Sequence, residues 1–209
     1  MKGVSSAADL AVVNRLRSES SAPPAAALER SRARLKEWFD ANAPLIQWGE
    51  MQSPLGTLFV ALTERGLYAV DFGRSRADFL ARLDPQARLA RDTPSVSLVM
   101  EQLREYFSAR RVNFDLPVDL SVLTPFQREV LSTACRISRG QVWTYQQVAE
   151  AMGRPKSSRP VGQALARNPV PIVIPCHRVV ASDGSLGGYS GGSGLAAKRW
   201  LLRLEGAPS

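Results

Sequence analysis

Histidine is almost absent from this chain of 209 residues: His177 is the only one, which excludes any zinc site needing two histidines. Cysteine is nearly as scarce. Cys135 and Cys176 are too few for a disulfide scaffold, so a reducing, cytoplasmic setting is expected. With so few ligands for a metal, neither a metal nor a cofactor is expected. No apolar run approaches the roughly 18 residues that span a bilayer. Nor does a basic stretch, an apolar core and a small-residue cleavage site open the sequence. Export and a membrane partner are set aside on those grounds. What is present is ordinary for a folded protein: 44% hydrophobic and 22% charged residues exclude general disorder. The length fits one or two domains at about 150 residues each.

Acidic residues thin out toward the C-terminal end. Of the net charge of +8, residues 121–209 carry +7, with 11 basic side chains against Glu129, Glu150, Asp183 and Glu205. From Arg136 to Arg178 run Arg136, Arg139, Arg154, Lys156, Arg159, Arg167 and Arg178, opposed by Glu150 alone. Such asymmetry points to a polyanion facing one half of the molecule. A solvated basic surface without a partner is the plain alternative. Arginine predominates over lysine in this run, which favours planar contact with phosphates or bases.

Three stretches emerge along the chain: an arm over 1–44, an α/β domain over 45–120 and a basic, mostly helical domain over 121–209. The arm is rich in Ala, Ser and Arg, with a thin-faced helix from Ala25 toward Phe39. In the middle stretch, Leu58–Leu62 and Leu67–Val70 flank Thr63-Glu64-Arg65-Gly66, a β-hairpin pattern. A helix is expected over Asp78–Leu83. A clearer one carries Val96, Val99, Met100, Leu103, Tyr106 and Phe107 on one face, and Val112–Leu116 reads as a third strand. These aromatics and leucines read as core, with no catalytic constellation among them.

The basic domain opens with Thr124-Pro125-Phe126-Gln127, an N-cap, a proline at the first helical position and a glutamine at N3. Thr144-Tyr145-Gln146-Gln147 repeats the capping box, and Gly153 stops that helix. A further helix begins near Ser157, with Pro160 in its first turn. Two short helices, the second small-residued and bracketed by arginines, read as a helix-turn-helix. A pair of helices that only pack together reads similarly.

The run Pro171-Ile172-Val173-Ile174-Pro175-Cys176-His177-Arg178-Val179-Val180 is the most informative segment. An apolar stretch ends at a proline, and a thiol, an imidazole and a guanidinium follow. A free thiol titrates near 8.5, so a neighbouring base or cation is needed to make it nucleophilic, and His177 and Arg178 are the evident candidates. The plain alternative is a buried, inert cysteine. Cys135, between Ala134 and Arg136 on the apolar side of a helix, reads as such a case.

Pro175-Cys176-His177-Arg178-Val179 resembles the active-site signature of the O6-alkylguanine-DNA alkyltransferases, also called methylated-DNA–protein-cysteine methyltransferases. Thr124-Pro125-Phe126-Gln127, Thr144–Gln147, Arg159-Pro160-Val161-Gly162, Asn168-Pro169, Gly188-Tyr189-Ser190-Gly191-Gly192 and Lys198–Leu202 follow in that family's order. Ser53–Gly56 and Gln102–Phe107 resemble its more variable N-terminal domain, so the likeness runs from about residue 50 to 206. It implies an α/β N-terminal domain, a small antiparallel sheet with helices of ribonuclease H-like form. A mostly α C-terminal domain with a winged-helix-like helix-turn-helix follows. It also implies a monomer acting on double-stranded DNA that carries O6-alkylguanine, and leaves open whether O4-alkylthymine is a further substrate.

The resemblance assigns roles as well. Cys176 accepts the alkyl group irreversibly, His177 takes the thiol proton through a water, and Glu205 orients the imidazole. Tyr145 donates to the leaving guanine. Ser190 donates to its 6-oxygen, and the carbonyls of Cys176 and Val179 hold its exocyclic amine. Asn168 fixes the turn behind the cysteine, and Arg159 replaces the extruded nucleotide in the duplex. Tyr189 and Lys198 are counted among the substrate- or DNA-binding residues. The chain departs from the pattern at Pro160, at Trp143, at Ser193-Gly194, which read as an insertion in the covering loop, and at Ile137-Ser138-Arg139-Gly140, which adds a charge near the DNA face. Two other functions compete: a lesion sensor that does not react, against which Cys176 argues, and a Cys-His-Glu thiol hydrolase.

Overall fold

The computed structural model describes residues 25–208. Helix α1 (Ala25–Asn42) lies in a compact unit of its own. Residues 1–24 of the expected arm lie outside the described residues.

From Pro44 the chain forms a second compact unit. It opens with β1 (Leu45–Ser53), β2 (Gly56–Thr63) and β3 (Gly66–Phe72), an antiparallel meander that contains the expected hairpin. Helix α2 (Arg76–Leu80) is capped by Ser75, whose hydroxyl accepts from Asp78 N. Strand β4 (Arg88–Arg91) then joins the outer edge of β1 in parallel, giving the order β3-β2-β1-β4 and a mixed sheet.

Both faces of this sheet are covered, and alternation along β2 shows how. Leu58, Val60 and Leu62 enter the main core, while Phe59 and Ala61 join Ile46, Trp48, Phe79 and Leu83 beneath. Phe59 stacks on Phe79 with ring centroids 5.1 Å apart. Helix α3 (Pro94–Phe107) covers the other face with the predicted stripe of Val96, Val99, Met100, Leu103 and Tyr106, all buried.

Val112–Leu116 is not a strand. The Gln102 side chain of α3 donates to Asp115 O at 3.2 Å and accepts from Asp115 N at 3.0 Å. A side-chain amide thus satisfies backbone groups that a sheet edge would otherwise have taken. The chain reaches the sheet only afterwards, where Leu67 and Val118 form an isolated bridge.

Helix α4 (Pro125–Ala134) and helix α5 (Tyr145–Ala151) both begin with complete capping boxes, at Thr124/Gln127 and Thr144/Gln147. Residues 152–157 lead to α6 (Ser158–Leu165), which packs on both α4 and α5. Ser157 stands at the N-cap of α6 without a capping hydrogen bond, and Pro160 is accommodated in the first turn, where its missing N–H breaks no helical bond. The two-residue strands β5 (Trp143–Thr144) and β6 (Val179–Val180) pair in parallel, and α7 (Leu195–Leu204) closes the chain. One continuous core runs from Leu58 and Tyr106 through Val130, Val161 and Ile174 to Leu201.

Candidate active site

Cys176, the expected nucleophile, follows a turn built under constraint. Ile172 has φ +77° while 1% exposed, an unfavourable backbone for a β-branched residue that costs on the order of 1–3 kcal/mol. Buried Asn168 holds this turn from both sides. Its Oδ1 accepts from Val170 N at 3.1 Å, and its Nδ2 donates to Ile174 O at 2.9 Å. The same Nδ2 lies 3.1 Å from Cys176 Sγ, so the amide that fixes the turn also donates to the sulfur.

After Pro175, residues Cys176–Arg178 form one turn of 3-10 helix and pass into β6. Pairing of Trp143 with Val179 ties the first residue of α5, Tyr145, beside this turn. Tyr145, Gly162, Leu165, Ala166, Cys176, Gly188, Tyr189 and Ser190 then line a cavity of about 220 Å³. That is below the roughly 300–1,000 Å³ typical of drug-sized ligands, and suits one planar ring system better than a longer molecule.

Two glycines shape the covering loop. Gly187 has φ +64°, and a Cβ there would stand 2.8 Å from the Tyr145 hydroxyl. At Gly192 a Cβ would stand 2.3 Å from the Phe72 ring, so the end of β3 seats the loop directly. The Tyr189 hydroxyl is buried without a hydrogen-bond partner among the described residues. Burial raises the Tyr145 phenol, opposed by a backbone contact at Gly188, so it stays protonated at neutral pH.

Lys198 lies behind this wall, fully buried. Its Nζ donates to the carbonyls of Val179, Leu186 and Gly188, joining β6 to the loop. Burial lowers its pKa to about 8, with the nearby Cys176 working the other way. Lys198 is expected among the substrate- or DNA-binding residues; the structure encloses its ammonium and engages it with the backbone. The Val179 carbonyl expected to hold a base amine already accepts from Lys198, and the Cys176 carbonyl accepts from Val179 N.

Arg178, a candidate activator of the thiol in the sequence, is turned away from it. It grips Glu205 through Nε to Oε2 and Nη2 to Oε1, both 2.8 Å, and donates to Ile137 O at 2.5 Å. Burial raises the Cys176 thiol, and the opposing influences are the Asn168 hydrogen bond and the Lys198 charge. The cation that faces the sulfur is therefore Lys198.

His177 is wholly buried, with Nε2 3.2 Å from Glu205 Oε1 but not aligned as a hydrogen bond; Nδ1 has no partner among the described residues. Burial lowers its pKa against the pull of Glu205, and the charges of Arg178 and Lys198 lower it further. The resting pair is thus a thiol and a neutral imidazole. Burial works against the charge on Glu205, yet the hydrogen bonds from Arg178 and the close approach of His177 hold it well below the usual carboxylate range.

Arg159 stands in the first turn of α6, exposed and without a partner among the described residues. Arg139, expected to add a charge near the DNA face, is half-buried and engaged within the fold. It donates to Arg111 O and Leu204 O and lies over the Tyr106 ring. Cys135 is exposed at the C-cap of α4 rather than buried. Tyr106 was read only as core, but its hydroxyl donates to Glu205 Oε1 at 2.8 Å. Helical periodicity puts that ring inside and gives no sign of a partner 99 residues away.

Residues 46–120 match the family model described as 6-O-methylguanine DNA methyltransferase, ribonuclease-like domain; residues 125–207 match that family's DNA binding domain. A methylated-DNA–protein-cysteine methyltransferase of Methanosarcina barkeri is 39% identical over 157 residues, covering 74% of this chain and 94% of the relative. The Shigella flexneri protein of the same name is 38% identical over 164 residues, covering 75% and 94%. Among solved structures, Mycobacterium tuberculosis OGT in complex with DNA superposes with a TM-score of 0.65 at 32% identity, covering 78% of this chain and 96% of that one. The O6-methylguanine methyltransferase of the same organism gives 0.67 at 30% identity, covering 79% and 95%.

Proposed function

The chain belongs to the 6-O-methylguanine DNA methyltransferase family, and from that premise we propose that it repairs DNA by moving the alkyl group of O6-alkylguanine onto Cys176. The observation that carries this reading is the small cavity that Cys176, Tyr145 and Ser190 line together. A base within the helical stack hides its 6-oxygen, so the damaged nucleotide must turn out into that cavity, at a cost of a few kcal/mol. Arg159, flat, cationic and exposed at the head of α6, fills the gap left in the duplex. Gly162 and the C-cap Ala166 keep the outer surface of this helix smooth, which suits a groove read without sequence preference, while Ala164 packs into the core.

The chemical step follows from the geometry around the sulfur. Sγ forms a bond to the alkyl carbon as the carbon–O6 bond breaks, and that electron pair passes to the guanine. The thiol proton goes to Nδ1 of His177 through a water, while Glu205 stabilises the imidazolium that results. Tyr145 supplies a proton to the leaving base, which makes guanine a better leaving group than its anion, and recovers one afterwards. The products are intact guanine and a thioether. No group in the site reverses that bond, so each molecule turns over once.

A nucleophile that must remain a free thiol suits a reducing compartment, which supports a cytoplasmic location. Among the described residues no helix is long and apolar enough to cross a membrane.

An oligonucleotide carrying labelled O6-methylguanine tests the reading. Wild-type protein is expected to take up label to one equivalent and stop, while Cys176→Ala binds the duplex without taking any. Tight binding without transfer by the wild type would indicate a lesion sensor, and ester turnover without DNA a hydrolase.

A further inference from the structure

Glu205 Oε1 is crowded. It accepts from the Tyr106 hydroxyl and from Arg178 Nη2, each at 2.8 Å, and it is the oxygen nearest His177 Nε2, at 3.2 Å. The histidine contact is the longest of the three and the one out of line. We infer that Tyr106 is a positioning residue for the transfer reaction: by sharing Oε1 with His177, its hydroxyl loosens the carboxylate's hold on the imidazole and sets how readily His177 takes the thiol proton. The inference rests on the proposed transfer and concerns a side chain of the N-terminal half that meets no substrate.

The surroundings leave the hydroxyl in that role at every working pH. Burial and the charge of Glu205 push the Tyr106 phenol far above its ordinary value, so it acts only as a donor. The groups facing the His177–Glu205 pair are Arg178 beside it, Lys198 on α7, Tyr106 on α3, Arg139 over the Tyr106 ring, the buried Tyr189 phenol of the covering loop, and the Cys176 thiol. Among these, Tyr106 and Arg178 alone share Oε1 with the histidine. Arg178 also binds Oε2 and Ile137 O, which makes it part of the fold. Of these two, Tyr106 is the neutral donor, and its ring is held independently by Phe107 and Phe114, with centroids 5.6 and 5.4 Å away.

Tyr106→Phe keeps that ring and removes the competing donor. The charge on Oε1 then falls more fully on His177, and the imidazole becomes more basic. With a single histidine in the chain, its titration is followed directly by NMR on tag-free protein without DNA. The expected result is an upward shift of roughly 0.7 of a pH unit, the worth of one net hydrogen bond. The low-pH limb of the single-turnover rate should move by the same amount, making transfer about fivefold slower below it and unchanged above it. Incorporating 3-fluorotyrosine at position 106 strengthens the donor at nearly constant size and is expected to move both readouts downward. This second variant covers the case in which the phenylalanine protein fails to fold. Unchanged histidine titration in a folded variant, or a uniform rate loss at every pH, overturns the inference. An adduct on wild-type Cys176 tests the transfer reading separately.

Discussion

Replacing Lys198 by methionine tests the electrostatics behind the nucleophile. The ammonium is fully buried, its partners are three backbone carbonyls, and its pKa is lowered from the ordinary 10.5 to about 8. Below pH 8 both the folded and unfolded chains carry the proton, and the burden of burying the charge is fully present. Above 8 the folded protein sheds the proton first, and the burden disappears as pH rises to 10.5. At about 1.36 kcal/mol per unit, the wild type should gain about 2.5 kcal/mol of stability relative to Lys198→Met between pH 7 and pH 10. Urea denaturation of both proteins at the two pH values gives this double difference, in which groups common to both cancel. A pH-independent difference would mean that the lysine is not a buried cation, and the account of what faces Cys176 would fail with it. The methionine protein should also transfer alkyl groups more slowly at neutral pH, because the thiolate loses its nearest positive charge.

Asn168→Ala removes the partners of Val170 N and Ile174 O, two backbone groups in a buried turn, and should destabilise the fold by about 2–4 kcal/mol by thermal or urea unfolding. The same change withdraws a donor from Cys176, so alkylation by a small thiol reagent should slow in the folded variant. Arg159→Ala should leave stability within about 0.5 kcal/mol, since the side chain is exposed and without a partner among the described residues. It should reduce transfer from duplex DNA while sparing transfer from the free alkylated base. Wild-type binding to duplex DNA should weaken with salt at a log-log slope of about −0.9 per phosphate neutralised, and a flat response would exclude the basic half as the DNA-facing surface.

Local chemistry made much of this molecule legible before its structure. The capping boxes at Thr124 and Thr144 set helix starts through hydrogen bonds spanning only three residues, so the sequence contains the whole device. The stripe from Val96 to Tyr106 announces a helix for the same reason. Strand β4 was illegible because Arg88–Arg91 has neither alternation nor much burial, and joins the sheet only because β1 has an open edge. Val112–Leu116 misled in the opposite way, since its β-like composition is answered by the Gln102 side chain. At the site, the motif around Cys176 singled out the candidate nucleophile, whereas the directions of neighbouring charges are tertiary facts. Arg178, two residues from the cysteine, turns toward Glu205, while Lys198, 22 residues away in sequence, is the cation near the sulfur. Tyr106 offered no signal, because a phenol on an apolar helix face looks the same whether or not a carboxylate lies behind it.

The most direct measurement is peptide mass mapping after wild-type protein meets a duplex containing one O6-methylguanine. The account predicts a single added methylene on the peptide bearing Cys176, none on the peptide bearing the exposed Cys135, and unmodified guanine in the recovered DNA. Methylguanine left intact with Cys176 unmodified, or the adduct found on Cys135 instead, would contradict it.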